Sequence, residues 1–101
     1  MNSLNMIGRL IADPDFKVVK EKELTTFTLA VDDRFSDHTS FIDCQAWGKT
    51  AETIANHCHK GKQIGVTGRI RQERWENDEG QKRSRVLMVV EKFTFTSKKD
   101  E

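Results

Sequence analysis

Hydrophobic and polar residues alternate along much of the chain, and the longest such segment runs from Lys62 to Trp75. In an extended strand with this alternation, one face carries the apolar residues and a glycine: Ile64, Val66, Gly68 and Ile70. Trp75 falls on the other face among arginines, where an indole can stack on a base while guanidinium groups contact phosphates. Taken alone, however, a tryptophan in this position more often caps the end of a core.

Similar patterns predict strands over residues 3–12, 24–31 and 41–47, and over the run from Val86 through Phe95. In the segment 41–47, Phe41 and Trp47 again share a face with polar residues, which favours a binding surface over a packing accident. The first and last strands carry apolar residues on both faces. That pattern is typical of a fully buried strand or of contact with another subunit.

Residues from Thr50 to Lys60 form the one predicted helix, with an apolar stripe at Ala51, Ile54, Ala55 and Cys58. Thr50 is expected to be the N-cap, and Gly61 is expected at C′ in the left-handed conformation. His57, Cys58 and His59 resemble a metal site, but consecutive helical side chains point about 100° apart and cannot converge on one ion. We therefore expect no metal and no cofactor.

Polar turns separate these elements at residues 13–15, 20–23, 32–40 and 76–80, with Gly80 suited to a positive φ. Phe35 in the third of these either folds back onto the domain or binds a ligand. The order strand, strand, strand, helix, strand, strand predicts an all-β OB-fold: a five-stranded antiparallel barrel with a helix between strands 3 and 4. This domain should span residues 1–96, followed by a short solvated tail at 97–101.

The composition narrows the expected partners and compartment. Apolar residues make up 36% of the 101 residues and the net charge is only +1, so affinity for nucleic acid must come from local basic patches. No apolar run is long enough to span a membrane, and no secretion signal opens the chain. Cys44 and Cys58 are therefore expected to be reduced, and the protein is expected in the cytoplasm without a membrane partner.

Five segments resemble the bacterial-type single-stranded DNA-binding protein family in their order and spacing: MIGRLIADP, FTLAV, WGKTAETIA, KGKQIGVTGRIR and RWENDEGQ. The resemblance extends from about Leu4 to Phe95. It implies an OB-fold that binds and protects single-stranded DNA in replication, recombination or repair, in a bacterium or phage. It also implies a homo-oligomer, with a tetramer expected before a dimer.

The resemblance implies specific site residues. Aromatic residues stand at the four positions where the family stacks bases: Phe35, Phe41, Trp47 and Trp75. Cations stand at positions that contact phosphate in the family: Lys49, Lys60, Arg71 and Arg74. The pattern of polar faces adds four weaker candidates: Arg9, Arg34, Arg69 and Lys62.

Two departures from the family affect the interpretation. The residues after the last strand lack the acidic and apolar tip with which the family recruits replication enzymes, so such recruitment is not expected. Carboxylates crowd the segment around Trp75 at positions 73, 76, 78 and 79, so this hairpin either points away from a bound strand or weakens its binding.

Two other functions remain open. An OB-fold of this kind could be a protein-interaction subunit of a replication or priming complex, although such an anchor is usually one compact apolar cluster. An enzyme is not expected, because the chain has no nucleophile–base pair, carboxylate pair or phosphate-binding glycine loop at useful spacing.

Overall fold

Six strands and one helix make up the fold in a computed structural model that describes residues 1–96. In chain order these are β1 (Leu4–Leu10), β2 (Asp15–Val19), β3 (Lys22–Asp32), β4 (Thr39–Trp47), α1 (Gly48–His57), β5 (Gln63–Glu76) and β6 (Lys82–Phe95). The tail predicted for residues 97–101 lies outside the described residues.

The strands follow the order β1-β5-β6-β4-β3-β2 in one sheet, and β1 also pairs with β3. That extra pairing, with Arg9 opposite Ala30 and Leu10 opposite Leu29, closes the strands into a ring. The expected all-β architecture with one helix is confirmed. The strand pairs are antiparallel apart from β4 with β6, where Cys44 lies opposite Met88 in a parallel ladder. The sequence pattern did not predict this parallel pair.

The predicted strand count was one too low. No strand was predicted between the turns at 13–15 and 20–23, but β2 forms a full ladder with β3 from Asp15 opposite Thr26 to Val19 opposite Lys22. The two strands are joined by Lys20 and Glu21, which have φ of 50° and 69°. A two-residue hairpin turn of this kind requires positive φ and usually contains Asn or Gly, so its sequence signal is absent here. The helix therefore follows the fourth strand instead of the third.

Helix α1 closes one end of the ring, with Ala51 and Ile54 fully buried. The Thr25 hydroxyl donates a hydrogen bond of 2.7 Å to the Ala51 carbonyl within the core. The helix begins at Gly48 and ends at His57, so its predicted range was shifted by two residues at its start and three at its end. The N-cap is Trp47, not Thr50, and it makes no side-chain capping bond.

The segment after α1 is extended, so the helical spacing assumed for His57, Cys58 and His59 does not apply there. Cys58 has φ −114° and ψ 148°, and it is buried although it lies outside the helix. His57 and His59 are exposed. Among residues 1–96 no cluster of His, Cys, Asp or Glu could hold a metal ion. Gly61 does take a positive φ, 88°, but in the turn before β5 and not at the C′ position.

Apolar residues on both faces of the last strand are accounted for within one chain. Leu87, Met88, Val89 and Val90 are all buried, and Met88 and Val90 belong to the central core. Of the two alternatives left open for this strand, burial within the chain therefore applies to Leu87 through Val90, and only Val86 of the run is exposed. On β1, Ile7 remains 57% exposed, as its position on the outer face predicts.

The two cysteines form no disulfide, and both are buried. Burial raises the pKa of the Cys44 thiol from 9.0 to about 12, and the nearby Asp43 carboxylate adds to the shift. Cys44 is therefore a protonated, unreactive core residue at neutral pH. Within residues 1–96, no helix is long and apolar enough to cross a membrane.

Candidate nucleic-acid interface

The outward face of β3 and β4 carries a row of residues that the register places side by side. Arg9 lies opposite Ala30, which in turn lies opposite Phe41, so the three strands present these residues together. Phe41 is 65% exposed. Trp47 lies on the same face of β4, six residues farther on, which corresponds to about 20 Å along a strand. The face thus carries one aromatic ring near each end of β4.

Beyond this face, β5 and β6 continue as a two-stranded arm of residues 72–86. No residue of this arm is buried. Trp75 lies near the end of the arm opposite Arg83 and is 48% exposed. The expectation that Trp75 stands on the solvent-accessible face among charged residues is therefore correct, and a core-capping role is not observed.

The loop at the tip of the arm is held by Asn77. Its side-chain oxygen accepts hydrogen bonds from the backbone N–H groups of Glu79 and Gln81 at 3.0 and 2.9 Å. Gly80 has φ 78°, as predicted. The fold therefore presents the acidic tip in a defined conformation.

A chain of hydrogen bonds joins the arm to β4. Arg85 donates to Glu73 Oε1 from Nε at 3.2 Å, and its Nη2 lies 3.1 Å from the same oxygen. Gln45 Nε2 donates to Glu73 Oε2 at 3.4 Å, and Trp47 Nε1 donates to Gln45 Oε1 at 3.3 Å. The face of the arm that bears Trp75 is thereby continuous with the outward face of β4.

Between these elements lies a groove of about 400 Å³, which we call the β3–β4 groove. Its polar lining comes from Asp13, which precedes β2, and from residues of four strands: Lys17, Thr26, Thr28, Asp43, Gln45 and Arg85. Sequence reasoning missed Lys17 and Arg85. Both lie on strand faces that the alternation could have assigned, but β2 was not recognised as a strand and the pairing of β6 with β4 joins segments distant in sequence.

Phe35 stands in the loop between β3 and β4 and is 85% exposed. The Asp33 carboxylate accepts hydrogen bonds from the Phe35 backbone N–H at 2.9 Å and from the Ser36 hydroxyl at 3.2 Å. The Arg34 guanidinium lies 5.2 Å from the centre of the Phe35 ring. Phe35 does not fold back onto the domain, so the structural explanation left open by the sequence does not apply.

The predicted cations differ in how accessible they are. Lys49, Lys60 and Arg71 are exposed, and Arg71 shares the Trp75 face of β5. The Lys60 backbone N–H donates to the Asp13 carboxylate at 2.8 Å, which brings it to the end of the β3–β4 groove where Asp13 lies. Arg74 lies on the opposite face of the arm from Trp75.

Two arginines predicted from face patterns form ion pairs with carboxylates. Arg9 pairs with Asp32 at 3.3 Å and Arg69 with Glu91 at 2.8 Å. Hydrogen bonds from Arg9 and then from Thr39 lower the pKa of Asp32, so its charge persists and offsets that of Arg9 at neutral pH.

Lys62 is the predicted cation whose surroundings argue against phosphate contact. Its side chain is only 7% exposed, and its ammonium lies 5.0 Å from the centre of the Phe95 ring. An ammonium in this position stabilises the fold through a cation–π contact, and a bound strand could not reach it without rearrangement. We therefore leave Lys62 out of the interface.

Comparison with known proteins gives a consistent match. Residues 1–96 match the family model of the single-strand binding protein family. The chain is 43% identical over 98 residues to a single-stranded DNA-binding protein of Clostridium perfringens, covering 94% of this chain and 65% of the relative. It is 38% identical to one of Enterococcus faecalis, covering 92% and 53%, and 41% identical to one of Clostridium tetani, covering 94% and 70%. The chain thus spans between 53% and 70% of the length of these relatives.

Proposed function

This chain belongs to the single-strand binding protein family, and from that premise we propose that it binds and protects single-stranded DNA without regard to sequence. The binding is non-catalytic and serves replication, recombination or repair in the cytoplasm. One observation supports this proposal above others: Phe35, Phe41 and Trp75 are 85%, 65% and 48% exposed, although aromatic rings normally dominate protein cores. Exposed rings that do not pack onto their own domain are suited to stacking on bases.

In this proposal the strand runs from the loop that bears Phe35, across the outward face of β4, to the arm. Its bases stack on Phe35, Phe41, Trp47 and Trp75. Its phosphates contact the exposed cations Arg34, Lys49, Lys60 and Arg71, joined by Lys17 in the β3–β4 groove, whereas Arg74 contributes less because it lies on the other face of the arm. Arg9 and Arg69 contribute less, because each is already paired with a carboxylate.

Salt dependence tests the electrostatic part of the proposal. If each subunit neutralises about four to six phosphates, affinity for oligo-dT should fall with salt at a log–log slope of about −3 to −4, at roughly 0.7 per phosphate. Lys49→Ala and Arg71→Ala should each flatten the slope by about 0.7, because each removes one phosphate contact. Fluorescence titration over a series of salt concentrations measures these slopes.

The control is Lys62→Met, which removes an equal charge from a buried position and should leave the slope of the folded protein unchanged. A parent slope near zero would contradict DNA binding through phosphates and would favour a protein-interaction subunit. A flatter slope for Lys62→Met would indicate that Lys62 does contact a phosphate.

We further propose that the chain forms a homotetramer through the outer surface of β1 and β5 around Ile7. Ile7 is 57% exposed there, opposite Gly65 in the register, beside a shallow groove of about 890 Å³. A methyl group added at Gly65 would lie 3.7 Å from Ile7 and 3.3 Å from Thr94, so the side chains of Ile7 and Thr94 lie over this glycine and form the surface here. An exposed apolar side chain such as Ile7 on this surface is suited to a symmetric contact with a second copy.

Replacing Ile7 with lysine should therefore release smaller species that remain folded but bind long strands less tightly, because linked subunits make later contacts intramolecular. Light scattering at micromolar concentration measures the mass. Val18→Lys is a matched control, since Val18 is 61% exposed on β2, away from this face. A parent mass near the 11.7 kDa of one chain, or an equal effect of Val18→Lys, would contradict the proposed interface.

A further inference from the structure

Glu73 places a negative charge on the proposed DNA-binding face, between the two tryptophans in the bonded chain that joins β4 to the arm. By simple electrostatics a carboxylate here repels phosphates and weakens binding. Its surroundings indicate a different role. The Glu73 side chain is only 28% exposed, and both of its oxygens are engaged, Oε1 by Arg85 and Oε2 by Gln45.

The chemistry of the partners fixes the orientation of the buried Gln45 amide. An indole N–H can only donate a hydrogen bond, and an ionised carboxylate can only accept one. Gln45 must therefore turn its Oε1 toward Trp47 and its Nε2 toward Glu73, as observed. With a neutral apolar residue at position 73, the Gln45 amide would lose the acceptor that holds it. The Trp47 indole would then lose a fixed partner.

The arm also needs an anchor to the rest of the fold. A two-stranded ribbon without buried residues is marginally stable by itself. Asn2 holds the base of the arm, where its side chain pairs with the backbone N–H and C=O of Ile70 at 2.9 and 2.8 Å. Farther out, the bond from Gln45 to Glu73 connects the arm to β4.

We propose that Glu73 and Gln45 are positioning residues of the DNA-binding face. They hold the Trp47 indole in one orientation and fix the Trp75 arm relative to β4. A face that is ordered before binding loses less conformational entropy when the strand binds. The role of these residues in DNA binding rests on the proposed function, whereas their effect on Trp47 is a property of the free protein.

The effect of Glu73→Ala on DNA affinity distinguishes a positioning role from simple repulsion, because the two predict opposite changes. Glu73→Ala should weaken oligo-dT binding roughly fivefold, about the net contribution of one hydrogen bond, although it removes a negative charge. Glu76→Ala removes the same charge from an exposed position on the arm and should bind as well as the parent or better. Glu73→Gln keeps an acceptor for Gln45 and should bind at least as well as the parent. Tighter binding by Glu73→Ala would overturn the proposal.

The free protein provides a second measurement. The chain has two tryptophans, so in a Trp75→Phe background the emission comes from Trp47 alone. There, Glu73→Ala and Gln45→Ala should each increase acrylamide quenching and lower the anisotropy of Trp47, whereas Glu73→Gln should not. The double variant should show no further change, because both residues act through one chain of bonds.

These measurements distinguish failure of the positioning role from failure of the proposed function. Unchanged quenching and anisotropy in both alanine variants would refute the positioning role even if the parent binds DNA. A parent that does not bind oligo-dT would refute the proposed function, while the Trp47 emission would still decide whether Glu73 and Gln45 position the indole. Circular dichroism tests whether each variant is folded. If Glu73→Ala is unfolded, Gln45→Ala and Glu73→Gln are compared instead.

Discussion

Replacing Trp47 and Trp75 together with alanine should weaken the binding of oligo-dT by about 2–6 kcal/mol, because each base stacked on an aromatic ring contributes about 1–3 kcal/mol. Each single substitution should lose about half of this. Because the double variant has no tryptophan and each single variant keeps only one, the anisotropy of a labelled oligonucleotide is the appropriate measurement. In the parent, addition of poly-dT should quench the indole fluorescence of both residues.

Phe16→Ala is the matched control for this prediction. Phe16 is also an exposed aromatic residue, but it lies on β2 and not on the proposed face. Its replacement should leave affinity close to that of the parent. Parent-like affinity in the folded double tryptophan variant would show that stacking on these rings does not drive binding.

Gly68→Ala should lower the free energy of unfolding by about 3 kcal/mol or more, since overpacking against a rigid neighbour exceeds the usual cost. An added Cβ would lie 1.9 Å from the Val89 carbonyl oxygen and 2.9 Å from its carbon, and both are backbone atoms. Gly68 sits where the register between β5 and β6 shifts, and the strands could make room only by separating. Urea unfolding at a fixed protein concentration measures the change.

Gly80→Ala distinguishes lack of space from backbone strain. Gly80 has φ 78°, and an added Cβ would meet no atom within 4 Å, so the substitution should cost only about 1–2 kcal/mol for the left-handed conformation. A similar loss of stability in both variants would mean that the close approach at Gly68 is relieved by the backbone.

The alternation of residues was sufficient to predict five of the six strands, together with the solvent-accessible faces of β4 and β5. Phe41 and Trp75 lie on the outward faces to which their positions assigned them, because side chains in a strand alternate whatever the strand pairs with. The apolar stripe at Ala51 and Ile54 likewise identified the helix. Its ends were wrong because helix termini depend on capping contacts, and here Trp47 caps without a side-chain bond.

Local sequence was not sufficient where pairing or burial depends on distant segments. β2 was missed because its turn has Lys20 and Glu21 at positive φ, which carries no Asn or Gly signal. Lys62 follows a glycine and looks exposed in the sequence, but the ring of Phe95 lies next to it. The Val86–Val90 run left burial and subunit contact open for the same reason, and only the fold shows that Leu87 through Val90 are buried.

By itself, therefore, the sequence determined the family, the sheet with one helix and the four candidate stacking rings, all of which depend on residue type and spacing along the chain. Only the tertiary structure decided which charged side chains are available to contact phosphates. It paired Arg9 and Arg69 with carboxylates, buried Lys62, and joined Glu73 to Arg85 and Gln45. Whether a charge can contact a phosphate depends on which side chains lie within a few ångströms of it. Strand pairing brings those side chains together from positions that can be dozens of residues apart in the sequence.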